Sequence, residues 1–207
     1  DRLLMLNNNA TLDHSGTGEL IFASNLSVGG NTKTLTLTGS NAGIGEIAGV
    51  ISAGSGTTSL AKDGSGTWRL TAANTYAGST TVRNGTLVLT GANGAITASS
   101  GFTVNHGATL RLENSASANN GNRLRDASNV TLNGGTLHFA NDGGAASFSE
   151  SAATLTIAQN ACTVRSDRAG AGQTSTLTFS ALSRTAGAAV NFTGEALGDP
   201  DGRNTIK

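Results

Sequence analysis

The residues of this chain that could carry acid–base or nucleophilic chemistry are few and scattered. There are 13 Asp and Glu, 13 Lys and Arg, three His and one Cys in 207 residues. Cleaving a glycosidic bond requires two carboxylates about 5 to 10 Å apart, on one face of adjacent strands or coils. Asp63, Glu113, Asp126, Asp142, Glu150 and Asp167 instead stand singly, mostly where strands end or loops begin. Glu113 follows Leu112 on the outward register and reads as a solvated surface charge. His14, His106 and His138 lack metal-ligand spacing: His106 reads as a corner residue and His138 as an outward strand residue between Leu137 and Phe139. Asp199-Pro200-Asp201-Gly202 resembles a calcium loop but lacks the remaining acidic ligands, and a Pro-Asp-Gly turn accounts for it. Cys162 has no partner for an internal disulfide and reads as buried packing. No nucleophile elbow with a matching His occurs, nor a phosphate loop ending in Lys-Ser or Lys-Thr, nor a nonapeptide calcium repeat. The expectation is a non-enzymatic chain with no cofactor and no metal.

The elements that would position these residues are short strands. Period-two units recur along the chain: Thr34-Leu35-Thr36-Leu37, Thr86-Leu87-Val88-Leu89, Thr109-Leu110-Arg111-Leu112, Thr136-Leu137-His138-Phe139, Thr154-Leu155-Thr156-Ile157 and Thr176-Leu177-Thr178-Phe179. Leu and its i+2 neighbour share one face, and Thr, Arg or His the other. From Leu87 the first leucines fall at 87, 110, 137, 155 and 177, a ragged period near one solenoid coil. A second apolar series lies between them: Val82, Phe102 with Val104, Val130 with Leu132, Val164, and Val190 with Phe192. Each coil is therefore expected to hold two strands and a third. The links Asn84-Gly85, His106-Gly107 and Asn133-Gly134 supply residues that tolerate positive φ and read as corners. The same turn would serve an antiparallel sandwich; recurrence at coil length favours the solenoid.

Composition agrees. Gly is 29, Pro 1, aromatic content 4% and charged content 13%, so neither a thick aromatic core nor long helices are expected. With 37% hydrophobic residues and zero net charge the chain is not a disordered polar one. That neutrality gives no footprint for nucleic acid, and no run approaches the roughly 20 apolar residues of a membrane-spanning helix. Neither partner is expected. The start, Asp1 to Asn7, lacks a signal-peptide pattern, and both ends read as cut from a larger chain. Residues 115–122 and 141–151 are expected to form loops leaving the wall. An echo links Asp1-Arg2-Leu3 through Ala10-Thr11-Leu12, ending in Glu19-Leu20-Ile21-Phe22, with Asn122-Arg123-Leu124 through Val130-Thr131-Leu132, ending in Leu137-His138-Phe139, as two related modules would.

Residues 60–89 carry a spaced pattern: Lys62-x-Gly64-x-Gly66-Thr67-Trp68-x-Leu70, then Asn74-Thr75-Tyr76-x-Gly78-x-Thr80-x-Val82, then Gly85-Thr86-Leu87. This resembles the autotransporter-associated β-strand repeat, or passenger-associated transport repeat. Ala73, Ala77 and Asp63 stand where Gly, Thr and Thr are usual. The resemblance implies a right-handed, single-stranded parallel β-helix over residues 1–207. It also implies display outside an outer membrane, with a β-barrel translocator elsewhere in the parent chain. The residues themselves point to a structural role. Trp68 and Leu70 share a face and should be buried with Val82, while Tyr76 should cover a coil edge with its hydroxyl on a backbone group. A sugar platform of Trp68 and Tyr76 is the functional alternative.

The function expected is a rigid extracellular stalk that folds coil upon coil and aids its own export. The alternatives are an adhesin or glycan-binding module using the loops, an end-to-end filament subunit, and, less favoured, a carbohydrate-active enzyme.

Overall fold

In a computed structural model, residues 4–40, 43–52, 54–142, 147–170 and 172–207 are described. Every regular element among them is a strand, and all paired strands run parallel. The antiparallel sandwich is thereby excluded and the chain is a β-solenoid.

One face is a nine-stranded sheet: β2 (Ala10–Asp13), β5 (Lys33–Thr38), β7 (Thr58–Lys62), β10 (Thr80–Val82), β13 (Gly101–Asn105), β15 (Asn129–Asn133), β17 (Ser147–Gln159), β19 (Thr174–Arg184) and β21 (Asn204–Ile206). A second face is an eight-stranded sheet: β3 (Leu20–Phe22), β6 (Ile44–Ile47), β8 (Thr67–Leu70), β11 (Thr86–Leu89), β14 (Thr109–Asn114), β16 (Thr136–Asn141), β18 (Ala161–Ser166) and β20 (Ala189–Thr193). Shorter pairings make a third face: β1 (Leu4–Leu6) with β4 (Leu26–Val28), β9 (Ala73–Asn74) with β12 (Ala95–Ile96), and bridges Leu26 to Ile51 and Ile96 to Leu124. In the later coils β17 and β19 run long and pair along most of their length.

Sheet twist and stacking are set by sequence alternation. Leu35, Leu60, Thr80, Phe102, Val130 and Leu155 form one inward column, and Leu37, Lys62, Val82, Val104, Leu132 and Ile157 the next. On the second face the columns are Gly45, Trp68, Leu87, Leu110, Leu137, Val164, Phe192 and Ile47, Leu70, Leu89, Leu112, Phe139. Most of these side chains form one continuous core cluster, and each fully buried Leu, Val or Phe contributes about 1.5–3 kcal/mol. Outward, Thr11, Thr36, Ala61, Thr81, Thr103, Thr131, Thr156 and Ser183 stack in register.

The corners between the two sheets require left-handed backbone. Gly64, Gly85, Gly107, Gly134 and Gly187 have φ of 69, 62, 74, 87 and 82°, and Asn160 takes the role at 58°. At Gly85 a Cβ would also lie 2.4 Å from Gly66 O of the coil before, so glycine is needed for space as well as for φ.

Three expectations are corrected. Leu155 stacks on Val130 and Val164 on Leu137, so the two apolar series exchange places after Leu137. Leu177 pairs with Glu150 and not with the leucine column of the second face. The cause is that alternation reads alike on every face, and the corner there is Asn160 alone, without an Asn-Gly signal. The loop expected over 141–151 is also wrong in part. Asn141 closes β16, residues 143–146 lie outside those described, and Ser147 to Ser151 open β17, with Phe148 and Glu150 buried. Small polar residues pair as well as apolar ones when one strand edge is already present beside them. The two echoed stretches take equivalent places in the solenoid: Thr11 and Thr131 share an outward column on the first face, and Leu20–Phe22 and Leu137–Phe139 lie in the same sheet.

Candidate functional site

The motif, residues 60–89, covers one coil and the first two strands of the next, and its side chains bond to the coils on both sides of it. Lys62 faces inward in the column between Leu37 and Val82 and is fully buried. Its ammonium donates to Asp63 O at 2.6 Å, Gly64 O at 2.9 Å and, in the next coil, Asn84 O at 3.0 Å. Burial lowers its pKa to about 8, against the opposing pull of Asp63. Gly64 and Gly66 shape this corner: a Cβ on Gly64 would lie 2.4 Å from Gly39 O, and Gly66 N donates to Gly39 O at 2.9 Å.

Trp68 is 1% exposed. Its indole lies over Gly45, where a Cβ would come within 2.6 Å of the ring, and stacks on Phe22 at 6.4 Å with His14 edge-on at 6.2 Å. Nε1 donates to Thr38 O at 2.9 Å. Leu70, Val82 and Leu87 are buried with it in the core cluster.

On the third face the Asn74 side chain bridges three coils. Its Oδ1 accepts from Ile51 N at 2.9 Å, and its Nδ2 donates to Ala72 O at 2.8 Å and Ala95 O at 3.0 Å. Tyr76 is 0% exposed, and burial pushes its phenol pKa up. Its hydroxyl meets Thr80 Oγ1 at 2.8 Å, which meets Ser99 Oγ at 3.1 Å, which donates to Gly78 O at 2.8 Å. The acceptor is thus a hydroxyl and not the backbone group expected. Since Ser99 spends its proton on a carbonyl, the chain of donors runs Tyr76 to Thr80 to Ser99. Gly78 lets this happen, because a Cβ there would sit 2.3 Å from Thr58 O. Both aromatic rings being enclosed, the sugar platform of Trp68 and Tyr76 does not exist in this fold.

Outside the motif, three polar arrangements stand out. On the outer face of the second sheet Arg111, His138 and Arg165 share a column. His138 Nε2 lies 2.7 Å from Asp167 Oδ2 and Nδ1 lies 3.3 Å from Arg111. A carboxylate only accepts, so Nε2 carries the proton and Nδ1 accepts from Arg111; burial lowers the His138 pKa and keeps this neutral form. At the 115–122 segment, Arg123 is fully buried and donates to Asn114 Oδ1, Gly94 O, Gly91 O and Ala118 O at 2.6 to 3.1 Å. Beside it Glu150 accepts from the amides of Arg123 and Leu124 at 2.9 and 3.2 Å, and burial raises its pKa to about 7. The sequence places Glu150 among the scattered carboxylates in a loop and shows Arg123 only within the echoed Asn122-Arg123-Leu124, with no sign in either that the two would be buried side by side. Cys162 is buried, its Sγ within 3.3 Å of Leu132 O.

For glycan cleavage the relevant pair would be Glu113 and Asp142, which line one cleft with Arg69. Both are engaged: Glu113 accepts from Arg111 at 3.3 Å, and Asp142 Oδ1 from Ala116 N at 3.2 Å. The carboxyl with the raised pKa, Glu150, is buried and does not line that cleft.

The passenger-associated-transport-repeat family matches residues 60–89. Over 105 residues the chain is 38% identical to the adhesin BmaC autotransporter of Brucella suis biovar 1 (strain 1330), covering 48% of this chain. The chain spans 3% of the length of that relative. No solved structure matches it.

Proposed function

We propose, from the premise that this chain is autotransporter passenger sequence carrying one passenger-associated transport repeat and displayed at the bacterial cell surface, that it is a non-enzymatic stalk segment whose repeat coil templates folding during export. The observation that carries this reading is the two-sided bonding of that coil. Trp68 and Asn74 reach back to Thr38 and Ile51 and Asn74 reaches forward to Ala95, while Lys62 ties the two coils of the motif together through Asn84. In a solenoid each coil contacts mainly its neighbours, so a coil stabilised on both sides seeds addition in either direction. Folding outside the membrane then draws the chain outward without a local energy source, through a β-barrel translocator in the parent chain.

The test is surface display of the full-length parent carrying Trp68→Asp or Leu70→Asp. Display and protease resistance should both fall; if both stay at wild-type levels, the templating role is wrong.

A second reading, adhesion, is favoured by the name of the relative and by the irregular 115–122 segment, since binding residues concentrate on loops held by a rigid scaffold. Cell adhesion and glycan-array binding that survive deletion of residues 115–122 would exclude that segment. Release of reducing sugar from surface polysaccharides, abolished by Glu113→Gln, would overturn the non-enzymatic reading.

A further inference from the structure

Two lysines of this solenoid take inward positions, and their surroundings differ in a way that points to a ligand. Lys62 is caged by three carbonyls at 2.6 to 3.0 Å. Lys33 opens β5 in the inward register of Leu35 and Leu37 and is 7% exposed. Yet among the described residues its ammonium makes one long hydrogen bond, to Leu6 O at 3.4 Å. No ion pair to Lys33 forms among the described residues. An ammonium has three donors, so most of its hydrogen-bonding capacity is directed elsewhere. Its register partner in the next coil, Thr58, has a buried hydroxyl with no hydrogen-bond partner among the described residues.

Lys33 is one of the residues lining a lateral cleft of about 350 Å³ where the third face turns into the first sheet, with Asn7, Asn8, Asn9, Asn31 and Thr32. Asn9 Oδ1 is committed to Thr34 N at 2.8 Å, which fixes that amide with its NH₂ left over. The lining thus combines one under-coordinated cation with carboxamides, which suit hydroxyls, and has neither an acid to repel an anion nor an aromatic ring.

We propose that this cleft binds a carboxylate-bearing sugar, the carboxylate on Lys33 Nζ and ring hydroxyls on the Asn7, Asn8 and Asn31 amides. The proposal gives the surface-binding reading a ligand class at a different place from the 115–122 segment, so its failure leaves the deletion experiment above untouched. Affinity is modest, because nothing stacks on the sugar face, and it weakens with salt.

The experiment is an amide chemical-shift titration of the whole 207-residue chain with glucuronate, glucose and acetate in parallel. Glucuronate should move the amides of residues 7–9 and 31–34 and bind more tightly than acetate, while glucose leaves them in place. Lys33→Met, which keeps the buried stem, should weaken glucuronate binding about tenfold, as loss of one charge-assisted bond does. Asn31→Ala, at an exposed corner where folding is not at stake, should weaken it about threefold. Acetate binding as tightly as glucuronate would reduce the cleft to a plain anion site, and glucose binding as well would remove the role of the charge. Either result overturns the proposal, as does an unchanged affinity in both variants or the absence of any shift with glucuronate.

Discussion

At the scale of single residues, the buried ionisable groups make stability depend on pH. Glu150 has a pKa raised from 4.5 to about 7 by burial. The folded state therefore holds the proton more tightly than the unfolded one. Its favourable contribution is complete below pH 4.5 and is lost as pH rises through about 7, a difference on the order of 3 kcal/mol. His138 acts in the opposite sense: its lowered pKa gives stability present above the unfolded value and lost as pH falls. Comparing wild type with Glu150→Gln separates the two. The urea midpoint of the variant should fall less between pH 4.5 and 7 than that of the wild type; parallel profiles would mean that Glu150 ionises as freely as in water. Lys62→Met strips the donor from three carbonyls and should cost about 1–3 kcal/mol in the same measurement at pH 7.

At the scale of the element, the motif coil shows why two positions far apart in sequence must be read together. Gly45 in β6 is small because the Trp68 indole of β8 occupies the place of its side chain. Gly45→Ala should destabilise by about 1–3 kcal/mol through overpacking. Trp68→Leu should cost a comparable amount or more through the cavity it leaves and the lost bond to Thr38 O, which keeps its bond from the His14 amide. The double variant should be more stable than the sum of the two losses, since the new methyl then has space. Additive losses in a double-mutant cycle would show that the two residues do not share this volume. The corner sites behave differently, because Gly85 combines positive φ with a carbonyl in the way, and no second substitution relieves both.

At the scale of the whole molecule, stability is distributed coil by coil. The segment of residues 60–89 is bonded by side chains to the coils on both sides, whereas Leu182 and Phe192 in β19 and β20 are 59% and 40% exposed beside an apolar cleft lined by Leu155, Phe179, Leu182, Phe192 and Ile206. Hydrogen exchange should be slowest at Trp68, Leu70 and Leu87 and fastest at residues 180–184. Uniform protection along the chain would indicate one all-or-none unit instead of a graded stack.

The sequence by itself determined the parallel solenoid, the corners at Gly85, Gly107 and Gly134, and the buried motif residues Trp68, Leu70, Val82 and Leu87. Alternation with period two and left-handed turn residues are local properties, legible wherever they repeat. Only the tertiary structure decided on which face Leu155, Val164 and Leu177 fall, that Ser147 to Ser151 form strand, that the Tyr76 hydroxyl ends on Thr80, and that Lys33 faces an open cleft while Lys62 is caged. The physical reason is that, the Tyr76–Thr80 bond across its own corner apart, each of these depends on what lies one coil away, some 20 to 30 residues along the chain. A strand carries no mark in its own residues of which neighbour supplies its hydrogen bonds, or of whether a buried cation finds its carbonyls there.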